Sequence, residues 1–390
     1  MKKRLSFVAL LATFALVAVA CGDDDVVTTV TTATTTTAPT TTTEGVTTTI
    51  AEPVTALACQ VSDVAGIDDK SFNETAWAGM EQAQAELGVS IEFLESTDAT
   101  DYRPNIDAFI EQGCDVIITV GFLLSNDTAA AATDNPEQLF AIIDYPVFFP
   151  GDEGPFFIDP FAAPNDLNVR GLTFATAEAA FLAGYLSAGQ SASHVIGTFG
   201  GINIPPVVDF MEGFLNGAVY YDSIHATTTT VLGWNHVDGL FTGNFDSQDD
   251  GRTFAQNLMD EGADVILPVA GPVGLGSCAA INEANAAGAS VMMIGVDADM
   301  FFSAPECSSI LLTSIQKHMD AAVFNTVQNV LVLGTLGNQY NGTLANAGVG
   351  IAPFHDFEGA VTAELAAELV QLEADIIAGN VSIAAPEAEG

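Results

Sequence analysis

The two lysines beyond residue 20, Lys70 and Lys317, are the side chains whose charge most needs an explanation. The chain carries 8 Lys and Arg against 50 Asp and Glu, and three of the basic residues fall within residues 1–20. Beyond residue 20 the other cations are Arg103, Arg170 and Arg252. A cation kept on so acidic a chain is expected to have a specific partner, either a carboxylate or a bound ligand.

The loop at residues 62–73 has the residue types of a ligand-binding turn. Ser71 and Glu74 have the spacing of a capping box, which predicts a helix that begins here with Phe72 and Asn73 in its first turn. An aromatic ring at that position can stack on a flat ligand, and the Asn73 amide can bond the ligand's edge. The alternative is that Phe72 only closes the helix end as a hydrophobic staple.

Short apolar runs alternate with amphipathic stretches along the rest of the chain. The runs, each ending at or near a polar residue or glycine, are 56–62, 116–121, 140–144, 195–200, 265–271 and 292–297. The amphipathic stretches are 74–87, 106–112, 177–187, 254–261 and 320–333. Short buried strands between helices predict an α/β fold with parallel sheets covered on both faces.

Carboxylates and glycines mark the ends of these runs. Asp63, Asp144 and Asp297 stand at three of the ends, and Gly271 stands at a fourth. Ligands of parallel sheets bind beyond the carboxyl ends of the strands. The runs are numerous enough for two sheets, so the sequence predicts one cleft between two sheet edges.

A series of segments in fixed order resembles the basic membrane lipoprotein family, whose members are substrate-binding proteins of ABC transporters and include purine-nucleoside receptors. The most specific segment is DVAGIDDKSFN at residues 63–73. Other matching segments are ITVGF (118–122), FAIID (140–144), GTFGGINIP (197–205), GADVI (262–266), AGPVGLG (270–276), IGVD (294–297), LTSIQK (312–317) and GVGIAP (348–353). The resemblance covers essentially residues 54–383.

The resemblance implies two Rossmann-like lobes of the type I periplasmic-binding-protein architecture with a ligand cleft between them. It implies that Phe72 and Phe245 sandwich the base, that Asn73 and Asp144 bond its edge, and that Gly271 offers backbone atoms. It further implies that Asp297 and Lys317 hold the ribose hydroxyls, with Asp63 also in the site.

Elementary physical chemistry is consistent with these implied roles. A buried carboxylate such as Asp297 can accept two hydrogen bonds from a vicinal diol, and charge-assisted bonds are about twice as strong as neutral ones. Lys317 would offset the cost of burying that carboxylate. The alternatives are that Asp297 only caps a helix, that Lys70 forms only a salt bridge, and that Phe210 takes the place of Phe245.

The sequence lacks the marks of the common enzyme classes. Residues 271–276 do not form a dinucleotide fingerprint, no Walker loop occurs, and the five histidines have no metal-ligand spacing. We therefore expect no enzyme, no cofactor and no metal. The enzyme alternative is a nucleoside hydrolase that uses Ca²⁺ at residues 68–69, or at Asp246 with residues 249–250.

The beginning of the chain predicts secretion and membrane anchoring. Residues 1–20 combine a basic start with an apolar stretch and small residues before Cys21, which is typical of a signal peptide followed by a lipidated cysteine. Plain cleavage without lipid is the alternative. The Thr-rich residues 21–53 predict a disordered tether, or a glycosylated stalk, that connects the membrane to a folded body.

The remaining cysteines are even in number, which suits an oxidising compartment. Cys59 with Cys114 and Cys278 with Cys307 are the disulfides we expect, because each pair falls within one predicted lobe. Buried free thiols are the alternative.

The sequence also predicts the bounds of the two lobes and the binding partners of the protein. The first lobe is assigned to residues 54–192 and about 315–337, and the second to residues 193–314 and about 338–390. With a formal net charge of −42, nucleic acid is an unfavourable partner. We expect a monomeric extracytoplasmic receptor that delivers a nucleoside to an ABC permease and ATPase. The alternative is a sensing or adhesive lipoprotein, and the aromatic segment 145–164 could form a lid or a partner surface.

Overall fold

A computed structural model describes residues 56–147 and 168–384 of the chain. The predicted signal peptide, Cys21, the tether and most of the segment 145–164 lie outside these residues. In the described ranges no helix is both long and apolar enough to cross a membrane.

Twelve strands of the described residues form two six-stranded sheets. The first sheet has the order β2-β1-β3-β4-β5-β11, and all of its pairings are parallel. Its strands are β1 (Leu57–Val61), β2 (Ser90–Leu94), β3 (Val116–Val120), β4 (Leu139–Ile143), β5 (Val169–Phe174) and β11 (Tyr340–Gly342).

The second sheet repeats this order, as β7-β6-β8-β9-β10-β12, with only β12 antiparallel to its neighbour. Its strands are β6 (Val195–Gly200), β7 (Thr230–Leu232), β8 (Val265–Val269), β9 (Met292–Asp297), β10 (Leu311–Lys317) and β12 (Val349–Ile351). Every residue of β3 and of β8 is buried, as expected of central parallel strands covered on both faces.

Ten α-helices cover the two sheets within the described ranges. They are α1 (Phe72–Leu87), α2 (Tyr102–Gln112), α3 (Ser125–Asp134), α4 (Thr176–Gln190), α5 (Pro205–His225), α6 (Gln248–Asp260), α7 (Val273–Ala286), α8 (Met300–Ser303), α9 (Met319–Leu333) and α10 (Ala363–Ile377). The main pairs are α1 with α9 on the first sheet, and α4 with α5 and α6 with α7 on the second. This arrangement is the α/β architecture with parallel sheets that the sequence predicts.

The chain passes between the two sheets three times, and these passages differ from the predicted lobe bounds. Helix α4 already packs on β6, β10 and β12, so the first crossing comes near residue 175 rather than residue 192. Strand β10 belongs to the second sheet through Lys317, and β11 returns to the first sheet. The bounds near 315 and 338 therefore lie a few residues from the observed crossings, because apolar periodicity does not tell which sheet a strand joins.

Two disulfide bonds cross-link the molecule within its lobes. Cys59 of β1 is bonded to Cys114, two residues before β3, and Cys278 of α7 is bonded to Cys307. All four cysteines are nearly or fully buried. The pairing is the one favoured by the cysteine positions in the sequence.

Candidate functional site

A cleft lies where the carboxyl ends of both sheets meet. It contains about 590 Å³ of empty space, a volume that includes its opening to solvent. Its polar side chains are Asp63, Asp69, Asp144, Asp297 and Lys317, and its aromatic side chains are Phe72, Phe122, Phe210 and Phe245.

Seven of the eight predicted ligand-binding residues line this cleft. They are Asp63, Phe72, Asp144, Phe245, Gly271, Asp297 and Lys317. Asn73 is the exception, because its side chain is fully buried behind the cleft wall. There the Asn73 amide donates to Asp63 Oδ1 at 2.8 Å and to Asp69 Oδ2 at 3.0 Å. In this arrangement Asn73 orients two carboxylates of the site and does not face the cavity.

The first turn of α1 is held by Asp69 rather than by the predicted Ser71 cap. The Asp69 carboxylate accepts from the backbone amides of Ser71, Asn73 and Glu74 at 3.0, 2.8 and 3.1 Å. The Ser71 hydroxyl makes no capping bond and has no hydrogen-bond partner. Asp69 stands two residues earlier, so its side chain reaches over the helix end, and α1 still begins at Phe72 as predicted.

Burial makes the acids of this loop unusually reluctant to ionise. Burial raises the pKa of Asp69 to about 7, although the three backbone amides act in the opposite direction. Burial likewise raises the pKa of Asp63, against the opposing effect of the Asn73 amide. The sequence patterns did not identify Asp69 as a cleft residue. Its place beside Asp68 in the 63–73 motif was the available signal.

Asp144 and Asp297 occupy equivalent positions in the two sheets. Asp144 follows β4, the fourth strand along the first sheet, and Asp297 ends β9, the fourth strand along the second. Both residues have φ of 65°, in the left-handed region that non-glycine residues seldom adopt. The repeated backbone turn brings one carboxylate from each lobe to the cleft.

Lys317 lies between these two carboxylates and is 2 % exposed. Its Nζ atom donates to Asp144 Oδ2 at 2.6 Å and lies 3.7 Å from Asp297 Oδ1. The rings of Phe72, Phe210 and Phe174 surround the ammonium group, with centroids at 5.0, 5.3 and 5.8 Å. Lys317 is therefore held by two carboxylates and three ring faces, which suits a buried cation.

The pKa values of Lys317 and Asp297 reflect this environment. Burial lowers the pKa of Lys317, but the carboxylates of Asp144 and Asp297 outweigh it, and the net pKa is raised. Burial raises the pKa of Asp297 to about 6, against the attraction of Lys317. Asp297 Oδ1 is buried and has no hydrogen-bond partner, and its nearest cation is Lys317 Nζ at 3.7 Å, so the carboxylate keeps an unused acceptor at the cleft wall.

The two aromatic candidates of the second lobe both line the cleft. Phe245 rests on the backbone of Gly201, where a Cβ atom would collide with its ring. Phe210 is almost fully buried and faces Lys317. Phe210 and Phe245 therefore both contribute an aromatic ring to the second lobe's side of the cleft.

Lys70 lies away from the cleft, in a salt bridge with Glu74. The Nζ–Oε2 distance is 3.2 Å, and both side chains are more than a third exposed. Its backbone carbonyl accepts from Ser303 Oγ at 2.6 Å, which joins the loop of the first lobe to the second lobe. The Lys70 side chain therefore forms a salt bridge, which was the alternative to a ligand contact.

The acidic pairs considered for Ca²⁺ have other partners or none. Asp250 Oδ2 accepts from Asn244 Nδ2 at 2.8 Å, at the start of α6. Across residues 56–147 and 168–384, no three His, Cys, Asp or Glu side chains are grouped so that they could hold a metal ion. The cleft thus offers carboxylate acceptors, one ammonium donor and aromatic faces.

Comparison with known proteins gives one consistent family. The family model for the PnrA-like ABC transporter substrate-binding proteins matches residues 56–387. The ABC transporter nucleoside-binding protein BmpA of Lactococcus lactis subsp. cremoris is 28% identical over 84% of this chain and 88% of its own. Basic membrane protein A of Borreliella burgdorferi is 30% identical over 80% of this chain and 82% of its own.

A solved structure has the same fold. The crystal structure of an ABC transporter solute-binding protein from Aeropyrum pernix K1 superposes with a TM-score of 0.72 at 24% sequence identity. The match covers 86% of this chain and 94% of that protein. At this identity the likeness concerns the fold, which is that of two-lobed solute-binding proteins.

Proposed function

Since the chain belongs to the Bmp family of PnrA-like ABC transporter substrate-binding proteins, we propose that its ligand is a nucleoside, with a purine as the base. The observation that carries the proposal is the cleft itself. It combines an unused carboxylate acceptor on Asp297 with the aromatic faces of Phe72 and Phe245. A nucleoside has the matching parts, a vicinal diol and a flat ring.

The proposed roles follow from these chemical matches. Asp297 and Lys317 hold the ribose hydroxyls, and Phe72 stacks on the base with Phe245 or Phe210 on its other side. Stacking of a base on an aromatic ring is worth about 1–3 kcal/mol. Asp144 accepts hydrogen bonds from the base edge, while Asn73 keeps Asp63 and Asp69 in position.

The charge of the cleft favours an uncharged ligand. Four carboxylates line it, and Lys317 is its one cation among the described residues. A phosphate group would meet repulsion from these carboxylates at close range. We therefore propose that nucleosides are bound in preference to nucleotides.

The place of action is proposed from the beginning of the chain. The signal-like residues 1–20 direct export, Cys21 carries the lipid, and residues 21–53 tether the binding body to the membrane. The protein would act as a monomer and deliver its ligand to an ABC permease and ATPase, without catalysing a reaction. A sensing lipoprotein without a transporter is the second candidate, and the absence of uptake defects in a deletion strain would favour it.

A thermal-shift screen tests the ligand class. Nucleosides, free bases, nucleotides, sugars and amino acids are each added to the protein, since a ligand of the folded state raises the unfolding temperature. We expect a shift with guanosine, inosine or adenosine and none with ribose. A shift with only another class would contradict the nucleoside and keep the two-lobed receptor.

An Asp297→Ala variant tests the site within the same screen. It removes the acceptor for the diol, so we expect the nucleoside shift to disappear while circular dichroism remains that of the native fold. The matched control is Asp356→Ala, since Asp356 lies outside the cleft lining. Unchanged affinity in Asp297→Ala would contradict the assigned site.

A further inference from the structure

Lys317 connects the two lobes through a contact that a bound nucleoside would have to share. Lys317 belongs to β10 of the second sheet, whereas Asp144 follows β4 of the first, and the two side chains meet at 2.6 Å. Both are less than a tenth exposed. The cleft thus already contains a cation in contact with the carboxylate that, under the proposed function, accepts from the base.

The ammonium group also lies close to the place proposed for the base. It lies 5.0 Å from the centroid of Phe72, the ring on which the base is proposed to stack. It also lies 5.3 Å from the centroid of Phe210, on the other side of the cleft. A base stacked on Phe72 with its edge at Asp144 would compete with the ammonium group for the same carboxylate.

A second carboxylate, that of Asp297, also lies near the ammonium group. Asp297 Oδ1 forms an ion pair with Nζ at 3.7 Å, which is longer than a hydrogen bond, and accepts no hydrogen bond from another group. Asp297 is on the same sheet as Lys317, and Asp297 pairs with Gln316 in the β9–β10 register. The 3.7 Å separation leaves only a small movement of the ammonium group to reach hydrogen-bonding distance from Asp297.

We propose that Lys317 exchanges hydrogen-bond partners on ligand binding: without ligand it donates to Asp144, and with ligand it donates to Asp297, with which it already forms a longer ion pair. This inference rests on the proposed function, because the base is what takes over Asp144. The exchange requires a ligand with N–H donors at its base edge, since a buried carboxylate left without a partner is costly. The same ion pair joins the two lobes across the cleft.

The scarcity of lysine makes the exchange directly observable. Lys70 and Lys317 are the lysines beyond residue 3, so protein labelled with [¹³Cε]lysine gives few signals by NMR. Lys317→Arg and Lys70→Arg each remove one signal and so assign both. The Lys317 ε-protons lie among three aromatic rings and should be shifted by ring currents, whereas Lys70 serves as the internal reference.

The experiment compares wild type, Asp144→Asn and Asp209→Asn, each without ligand and with saturating inosine. We expect inosine to move the Lys317 signal of wild type and to leave Lys70 in place. Asp144→Asn should move the Lys317 signal toward the inosine-bound position without any ligand, because its partner across the cleft is neutral. Asp209 is the matched control, a carboxylate that attracts Lys317 electrostatically without a hydrogen bond to it, and Asp209→Asn should have little effect.

Two results would overturn the exchange. The first is a Lys317 signal that is the same in ligand-free Asp144→Asn and wild type. The second is inosine binding, detected by thermal shift, that leaves the Lys317 signal unmoved. An absent thermal shift with inosine counts instead against the nucleoside, while the ligand-free comparison still decides whether Lys317 is paired with Asp144.

Discussion

At the scale of single residues, the cleft concentrates acid around one cation. Asp63, Asp69 and Asp297 all have raised pKa values, and burial is the largest cause in each case. Ionising such groups is costly unless hydrogen-bond donors reach them. Asp63 and Asp69 have such donors in the protein, whereas Asp297 Oδ1 has none and would receive them from a ligand hydroxyl.

The raised pKa of Asp297, about 6, predicts how binding depends on pH. The ionised carboxylate accepts both diol bonds, and the protonated acid loses acceptor capacity. Nucleoside affinity should therefore be constant above pH 7 and fall about tenfold per pH unit well below pH 6, because one proton competes with the ligand. Isothermal titration calorimetry between pH 5 and 8 measures this.

The corresponding control is Asp297→Asn, which cannot ionise. It should bind more weakly and lose the dependence near pH 6, and any dependence that remains near pH 7 would belong to Asp69. A wild-type affinity that does not change down to pH 5 would show that Asp297 is not the diol acceptor.

At the scale of elements, the second sheet is covered by two helices in very close contact. Glycines let α4 and α5 approach, because a Cβ atom on Gly217 would overlap the carbonyl oxygen of Phe181 and one on Gly184 would overlap that of Phe214. Helix α5 also carries Phe210 into the cleft. The packing of these helices therefore helps to place one wall of the site.

A Gly217→Ala variant tests this contact. Alanine favours an isolated helix by about 1 kcal/mol over glycine, but the overlap with α4 should outweigh that gain and destabilise the protein by about 1–3 kcal/mol. Urea unfolding gives the free energy. Gly274→Ala in α7 is the matched control, since its Cβ would have only ordinary contacts, nearest 3.5 Å from Pro268, and equal stability of the two variants would refute the close-packing argument.

At the scale of the whole molecule, all five cations beyond residue 20 have partners. Three are paired on the surface, Lys70 with Glu74, Arg103 with Asp107 and Asp134, and Arg252 with Glu283. Lys317 lies in the cleft, and Arg170 bonds neutral oxygens of Asn325, Thr326 and Asn338. Most of the 50 acids therefore have no cation to compensate them.

This excess of negative charge predicts that salt stabilises the fold. The range of charge repulsion falls from about 30 Å at 0.01 M to about 3 Å at 1 M ionic strength. The unfolding temperature should rise by a few degrees between 0.02 and 1 M NaCl, corresponding to about 1–2 kcal/mol for a chain of this size. Calorimetry at pH 7 measures it.

Lowering the pH provides the control for the salt experiment. At pH 4.5 part of the carboxylates are protonated, so the repulsion and the gain from salt should both be smaller. A midpoint that is independent of NaCl at pH 7, or that falls, would show that self-repulsion does not limit the stability of this protein.

Much of the fold was predictable because its pattern is local. Buried runs such as β3 and β8 consist almost entirely of apolar residues, and their alternation with helices predicts parallel sheets. The periodicity of apolar residues did not predict helix α5 or strand β10. Helix α5 is apolar on several faces because it packs on α4, and so shows no simple amphipathic pattern.

By itself the sequence determined the two-sheet class, the family, the expected cysteine pairs and seven residues of the cleft lining, because strand ends and motif residues are local features. Only the tertiary structure decided that Asn73 faces two carboxylates instead of the cavity, that Asp69 caps α1, and that Lys317 bonds Asp144 across the cleft. Those contacts depend on how side chains from separate elements compete for the same buried space. No local pattern records that competition.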